Sequence, residues 1–219
     1  MGKFQQIEDY LKTIYLLQQR EGAATTNAVA EALAVKPASV TGMLKKLAEL
    51  KLVKHTPYQG VTLTRTGEKI ALEIIRHHRL IELFLVETLG YTWDEVHREA
   101  DRLEHAISED FEERVARRLG NPTVDPHGDP IPTKDGSVAE VRQQCLAQLR
   151  SGQSAHITRL NDAHPEMLRY AADLGLLPRT HITLLAAEPF GGPLRVRIGK
   201  VEHAIGRELA QHIFVAADA

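Results

Sequence analysis

The chain has 219 residues, 43% hydrophobic and 26% charged, which excludes a disordered or collagenous polymer and leaves room for one large or about two to three small domains. Its single cysteine, Cys145, excludes an intramolecular disulfide framework and a four-cysteine zinc site, and fits a reducing compartment. The net charge of −2, which on its face argues against a nucleic-acid partner, conceals a gradient of +4 over residues 1–76, −5 over 77–120 and −1 over 121–219.

In chain order, Phe4, Ile7, Leu11, Ile14, Tyr15 and Leu17 recur at helical spacing and predict a first helix over residues 3–20. Thr25-Thr26 is an N-cap signal for a short helix through Leu33. The turn Ala34-Val35-Lys36-Pro37 leads into a third helix, with proline at its first position and Val40, Met43, Leu44, Leu47 and Leu50 as its apolar stripe. Leu52–His55 and Val61–Thr64 predict two strands joined by the turn Pro57-Tyr58-Gln59-Gly60. Helix, helix, recognition helix and hairpin is the order of a winged helix-turn-helix.

Thr64–Thr66 can cap a long helix to about Leu89, and a helical pair follows over about Trp93–Leu119, ended by Gly120. The proline- and glycine-rich NPTVDPHGDPIPTKDGS (Asn121 to Ser137) predicts a connection crossing the surface. A short helix is expected near Val138–Leu149 and another at Met167–Leu174. Alternation then predicts strands at 181–185, 194–198 and 213–215, with Pro189-Phe190-Gly191-Gly192 as a hairpin turn, consistent with a small β-barrel. No apolar run is long enough to cross a bilayer and the opening MGKFQQIEDYL lacks a signal-peptide stretch, so a cytoplasmic location with no membrane partner is expected.

Ligand-type residues cluster in the acidic segment. His78 and Glu82 are four apart, and His97, Asp101, Glu104 and His105 fall at i, i+4, i+7 and i+8, so each set shares one helix face. Carboxylates turned toward another helix are costly unless offset, and a divalent cation is one way to offset them. Asp9 on the first helix offers a further direction of approach. The set has imidazole and oxygen donors without sulfur, which suits Mn, Fe(II), Co or Zn. A solvated acidic helix face is the competing reading of the same spacing.

At these residues the chain resembles the diphtheria-toxin-repressor family of iron-dependent and manganese transport regulators. The resemblance rests on IEDYLKTIYLL, VKPASVTGMLKKLAELKLV, GVTLTRTGEKIA, RHHRLIELFL, VHREADRLEHAISED and GDPIP, and it spans nearly the whole chain. It implies a mainly α protein with a small β domain: a winged helix-turn-helix (1–73), a helical metal-binding and dimerisation domain (74–150) and an SH3-like, FeoA-like domain (151–219). It also implies a homodimer that binds double-stranded operator DNA when metal-loaded, with no catalytic residues and no small organic substrate. The family's primary metal site falls on Asp9, Asp101, Glu104 and His105, with His78 joining it in the manganese branch. The ancillary site falls on His78, Glu82 and His97, with His164 as a ligand from the SH3-like domain. Iron-type members carry Met and Cys where this chain has Asp9 and Asp101, and the change from sulfur to oxygen favours Mn2+ over softer competitors, with an Fe2+-responsive regulator of the same family as the alternative and Co2+, Zn2+ or Cd2+ as substitutes in vitro. Manganese regulators carry a second acid on the first helix where this chain has Lys12, which departs from a two-manganese cluster.

For the DNA end, Lys36, Pro37, Ser39 and Thr41 lie near the start of the recognition helix, with Lys45 and Lys46 further along. Thr26 and Asn27 on the second helix and Tyr58 at the wing tip are candidate phosphate contacts. Without Arg or Gln at the tip, recognition leans on methyl contacts, water and duplex shape. Two competing readings remain: a di-metal carboxylate enzyme in a helical bundle, and a metal-independent winged-helix binder. The first usually uses paired Glu-x-x-His motifs, which the cluster lacks.

Overall fold

The structure, a computed structural model, describes residues 3–56, 60–139, 144–161 and 165–217. The chain divides into two compact units: residues 1–78, 102–108 and 132–137 form one, and 79–101, 109–131 and 138–219 the other.

In the first unit α1 (Lys3–Glu21) buries Leu11 and Ile14 on the face its spacing predicts. The side chain of Thr25 caps α2 (Thr26–Ala32) by accepting the Ala28 N–H at 3.1 Å. Ala34, at φ 52°, turns the chain into α3 (Pro37–Glu49), which starts on proline and buries Val40, Leu44 and Leu47. Strands β1 (Val53–Thr56) and β2 (Gly60–Leu63) pair antiparallel from Val53↔Leu63 to Thr56↔Gly60. Gly60, at φ +97°, lies where any Cβ would stand 2.5 Å from the Ala24 carbonyl oxygen, so only glycine lets the wing approach the segment before α2. The start of the long α4 (Arg65–Leu89) completes this unit, with the Thr64 hydroxyl accepting the Gly67 N–H at 3.2 Å.

The second unit takes the rest of α4, most of α5 (Val96–Leu103), α6 (Glu109–Arg118) and the C-terminal region. Leu80, Val115, Ala116 and Ile131 pack together there. Beyond them, β3 (Gln144–Cys145), β4 (Ser154–Leu160), β5 (His181–Ala187), β6 (Leu194–Ile198), β7 (Val201–Ile205) and β8 (Ile213–Ala217) form one antiparallel sheet in the order β3-β8-β4-β5-β6-β7. With α7 (Pro165–Asp173) and α8 (Arg207–Gln211) it encloses a core that includes Ile157, Leu168, Ile182, Leu184, Val196, Leu209 and Val215.

Four expectations from sequence need correction. The helix expected near 138–149 is, among its described residues, the short β3 and a 3₁₀ turn at Leu146–Gln148, because Gln144 and Cys145 pair with Val215 and Phe214. Strands β4 and β7 were not anticipated, since their apolar residues do not alternate cleanly, nor was α8, whose five residues are too few to show a helical period. The register through His97, Asp101, Glu104 and His105 is broken, because α5 stops at Leu103 and the last two residues lie in the following turn. The connection at 121–137 does not merely cross the surface: Asp125 and His127 within it are buried.

Candidate metal centre

The first unit brings Asp9, Glu104 and His105 together, with one ligand atom from each lying within 4.8 Å of the others. Asp9 arrives on α1, while Glu104 and His105 come from the turn after α5. His77 on α4 holds that turn, its Nδ1 standing 3.1 Å from the Glu104 carbonyl oxygen. The Nδ1 of His105 lies 2.7 Å from Glu8 Oε2, which leaves Nε2 turned inward, 2.9 Å from Asp9 Oδ1 and 3.4 Å from Glu104 Oε1. An imidazole tied through one nitrogen to a carboxylate and presenting the other is the arrangement that orients a metal-binding histidine. With two carboxylates beside it, the donor set fits a divalent ion of intermediate hardness.

Glu104 is almost completely buried, at 1% exposure. Its carboxylate meets the Lys12 ammonium at 2.7 and 3.1 Å and lies hydrogen-bonded to His78 Nδ1. Burial pushes the Glu104 carboxyl up, but the His78 hydrogen bond and the Lys12 charge outweigh it, so the group titrates below its ordinary value. Asp9 is raised by burial and by the Glu104 charge, with His105 working against both.

In the second unit Glu82 Oε1 stands 3.1 Å from His97 Nδ1, and Asp101 Oδ2 lies 3.6 Å from His97 Nε2. Glu82 also joins Asp125 and His127 in a buried group with ligand atoms within 4.8 Å of one another. Neither Asp125 nor His127 had been singled out as a ligand, although the run DPHGD is the signal that marks them. The expected ligand His164 and its neighbour Asp162 lie outside the described residues, as does Tyr58 at the wing tip. On α2, α3 and the turn before α3, Asn27, Lys36, Pro37, Ser39, Thr41, Lys45 and Lys46 are exposed and Thr26 is half-buried. Thr41 donates to the Pro37 carbonyl at 3.1 Å.

A winged helix-turn-helix in the same unit as a two-carboxylate, one-imidazole centre defines a metal-responsive DNA-binding regulator. The comparisons with known proteins are consistent with that class. Residues 4–61 match the family model described as the iron dependent repressor N-terminal DNA binding domain, and residues 64–133 match its metal binding and dimerisation domain. Residues 144–217 match the FeoA domain, the SH3-like module expected at this end. The chain is 32% identical over 221 residues to the iron-dependent repressor IdeR of Mycobacterium leprae, covering 95% of each protein. It is 35% identical over 109 residues to the transcriptional regulator MntR of Geobacillus kaustophilus, covering 50% of this chain and 77% of that protein. A solved structure titled a manganese-dependent transcriptional repressor complex with manganese superposes with TM-score 0.91 at 40% identity, over 96% of this chain and 99% of the other.

The chain therefore belongs to the iron-dependent repressor family. It is a metal-dependent transcriptional repressor and not an enzyme, and it carries both a DNA-binding and a dimerisation domain. Among the described residues no helix is long and apolar enough to cross a membrane.

Proposed function

We propose that this repressor is a cytoplasmic homodimer that answers to Mn2+ and shuts off metal-uptake genes when loaded. The observation that carries this reading is the inward Nε2 of His105, held by Glu8 on its far side and grouped with Asp9 and Glu104. Asp9, Glu104 and His105 are the proposed ligands, with His78 beside Glu104 as a further member, and Glu82, His97 and Asp101 as the accessory group. An ion held there supplies positive charge that offsets the Asp9 and Glu104 carboxylates. Through Asp9, α1 is then pinned to the turn at 104–105, and α1 packs in the same core as α2 and α3. Fixing α1 restricts where the exposed face of α3 sits, so the DNA-competent geometry is favoured.

Lys36, Pro37, Ser39, Thr41, Lys45 and Lys46 are the proposed contacts on α3 and its approach, with Thr26 and Asn27 on α2 and Tyr58 on the wing. The lysines supply the salt-dependent attraction to phosphate and the hydroxyls reach the backbone or base edges. The coupling is reciprocal, so operator DNA tightens metal binding as metal tightens DNA binding. Operator affinity titrated anaerobically with Mn2+, Fe2+, Co2+ and Zn2+, each against a chelator control, tests the proposal. Equal affinity with and without chelator removes it. A response at lower free Fe2+ than Mn2+ reassigns the effector to iron and leaves the site intact.

A further inference from the structure

Lys12 follows Asp9 by three residues on α1, close to one helical turn, so both side chains leave the same side of the helix. The helix delivers its ammonium to the carboxylate that Asp9 and His105 also approach. Nζ lies 2.7 Å from Glu104 Oε2, 3.1 Å from Glu104 Oε1 and 3.0 Å from His78 Nδ1. Both oxygens of a buried candidate ligand are thus engaged by one side-chain cation, and the imidazole that donates to the same carboxylate lies beside that ammonium.

Resting on the metal reading above, we propose that Lys12 is a tethered competitor of the divalent ion, and that it sets the ion concentration to which the repressor responds. The argument is one of charge and valence. An ion that takes Glu104 as a ligand must share a carboxylate already bonded to an ammonium, and two cations on one buried carboxylate repel strongly because little water screens them. Loading the site therefore requires Lys12 to release at least one Glu104 oxygen. The side chain is long and flexible, with 15% of its surface exposed, so it has an exit from the cluster. Replacing it by an uncharged side chain removes the competitor and leaves Asp9, Glu104 and His105 in place.

A lysine that served only to neutralise Glu104 lowers the stability of the metal-free protein when removed, but leaves ion affinity unimproved. The two roles separate in one experiment on the full chain. Mn2+ affinity is measured by calorimetry for the wild type, Lys12→Met and Lys12→Gln, with the thermal midpoint of each recorded in chelator. Lys12→Met preserves length without charge, and Lys12→Gln keeps a hydrogen-bond donor toward Glu104 if the first variant folds poorly. The expected result is at least tenfold tighter Mn2+ binding in the variants, with a lower midpoint in chelator. Unchanged or weaker Mn2+ binding in the folded variants overturns the competitor role. Asp9→Asn serves as the control for the site: if it binds Mn2+ as tightly as the wild type, the metal reading itself fails and the competitor fails with it. If Asp9→Asn loses affinity while both Lys12 variants match the wild type, only the competitor falls.

Discussion

Two clusters in this molecule have the same formal composition, two carboxylates and an imidazole with ligand atoms within 4.8 Å, yet Glu104 in one and Asp125 in the other are pushed in opposite directions. In the first, Asp9–Glu104–His105, an ammonium and a histidine bond Glu104 directly and hold it ionised in spite of burial. In the second, Glu82–Asp125–His127, all three residues are buried and the Arg79 guanidinium stands 3.6 Å from Asp125 while donating to the Pro130 carbonyl and to Asp129. Burial, followed by the charges of Glu82 and Asp129, pushes Asp125 up to about 8. Asp125 Oδ1 meanwhile accepts the backbone N–H groups of His127 at 2.8 Å and Asp129 at 2.9 Å, so it braces its own loop. Grouping of ligand-type residues is therefore a weak criterion for a cation site. The stronger one is whether the surroundings keep the most buried ligand carboxylate charged, as they do for Glu104 and not for Asp125.

The largest test is Glu104→Gln. The amide keeps the shape but removes the charge that Lys12, His78 and a divalent ion all address, so Mn2+-dependent operator affinity is expected to fall by about a thousandfold, or about 4 kcal/mol. Glu82→Gln in parallel is expected to cost far less. Fluorescence anisotropy with labelled operator at fixed free Mn2+ reads both, and equal losses erase the distinction between the clusters.

Next in size is the pH response of Asp125→Asn. A carboxyl raised in the folded state favours folding most below its ordinary value of 3.8, and that contribution is lost as pH climbs toward about 8. Glu104, lowered in the folded state, works the other way and weakens folding only as pH falls through the ordinary carboxylate range. The wild type is thus expected to lose stability between pH 5 and 9, on the order of 3 kcal/mol from Asp125. The asparagine variant keeps an oxygen for both loop N–H groups and lacks that loss. Denaturant melts across the range check this; parallel curves for the two proteins show that Asp125 is charged in the fold.

The contrast between the clusters also marks what was legible in the sequence. Helices α1 to α3 and the wing were readable because their signals are local: the Thr25 cap, Pro37 at a helix start and apolar residues at helical spacing. Asp9, Glu104 and His105 stood out as ligand-type residues, but the spacing argument placed Glu104 and His105 on a helix that ends at Leu103. Nothing in DRLEHA signals a stop. The stop coincides with a local turn, closed by the Ala106 N–H donating to the Leu103 carbonyl, and with a tertiary contact from His77 to the Glu104 carbonyl. Asp125 and His127 were hidden for the same reason, since their burial depends on residues distant in sequence. Gly128, at φ +92°, lies where a Cβ would stand 1.9 Å from the Thr158 oxygen, and the Leu160 N–H bonds the His127 carbonyl at 2.9 Å. An aperiodic, proline-rich segment carries no trace of such contacts.

A smaller effect is expected from Trp93→Phe. The indole stacks on His127 with ring centroids 5.0 Å apart and donates from Nε1 to the Pro126 carbonyl at 3.0 Å. Phenylalanine retains an aromatic face but leaves that carbonyl without its donor, for a loss of about 1 kcal/mol by thermal denaturation. An unchanged midpoint means the indole hydrogen bond adds nothing to the hold that Asp125 and the Leu160 N–H already have on the loop.

Asp129→Asn gives the finest distinction. Asp129 Oδ1 lies 3.3 Å from both Arg79 Nη2 and Arg159 Nη1, at 14% exposure, so removing its charge costs at most about 1 kcal/mol in ion pairing. Its second effect is on Asp125, because the Asp129 charge is one of the neighbours that raise that carboxyl. With the charge gone, Arg79 is also less committed to Asp129 and more available to Asp125. Both changes favour the ionised form, so the loss of stability with rising pH still begins near the ordinary carboxylate value but levels off at a lower pH, by under about one pH unit. Stability melts at closely spaced pH values between 6 and 9 read the displacement against the wild type. A transition that stays in place assigns the neutrality of Asp125 to burial and Glu82 alone, and one that moves upward contradicts the charge argument for the second cluster. Glu104 offers the internal standard: Asp129 is absent from the groups that govern it, so the acid limb of the same curves is expected to stay where it is.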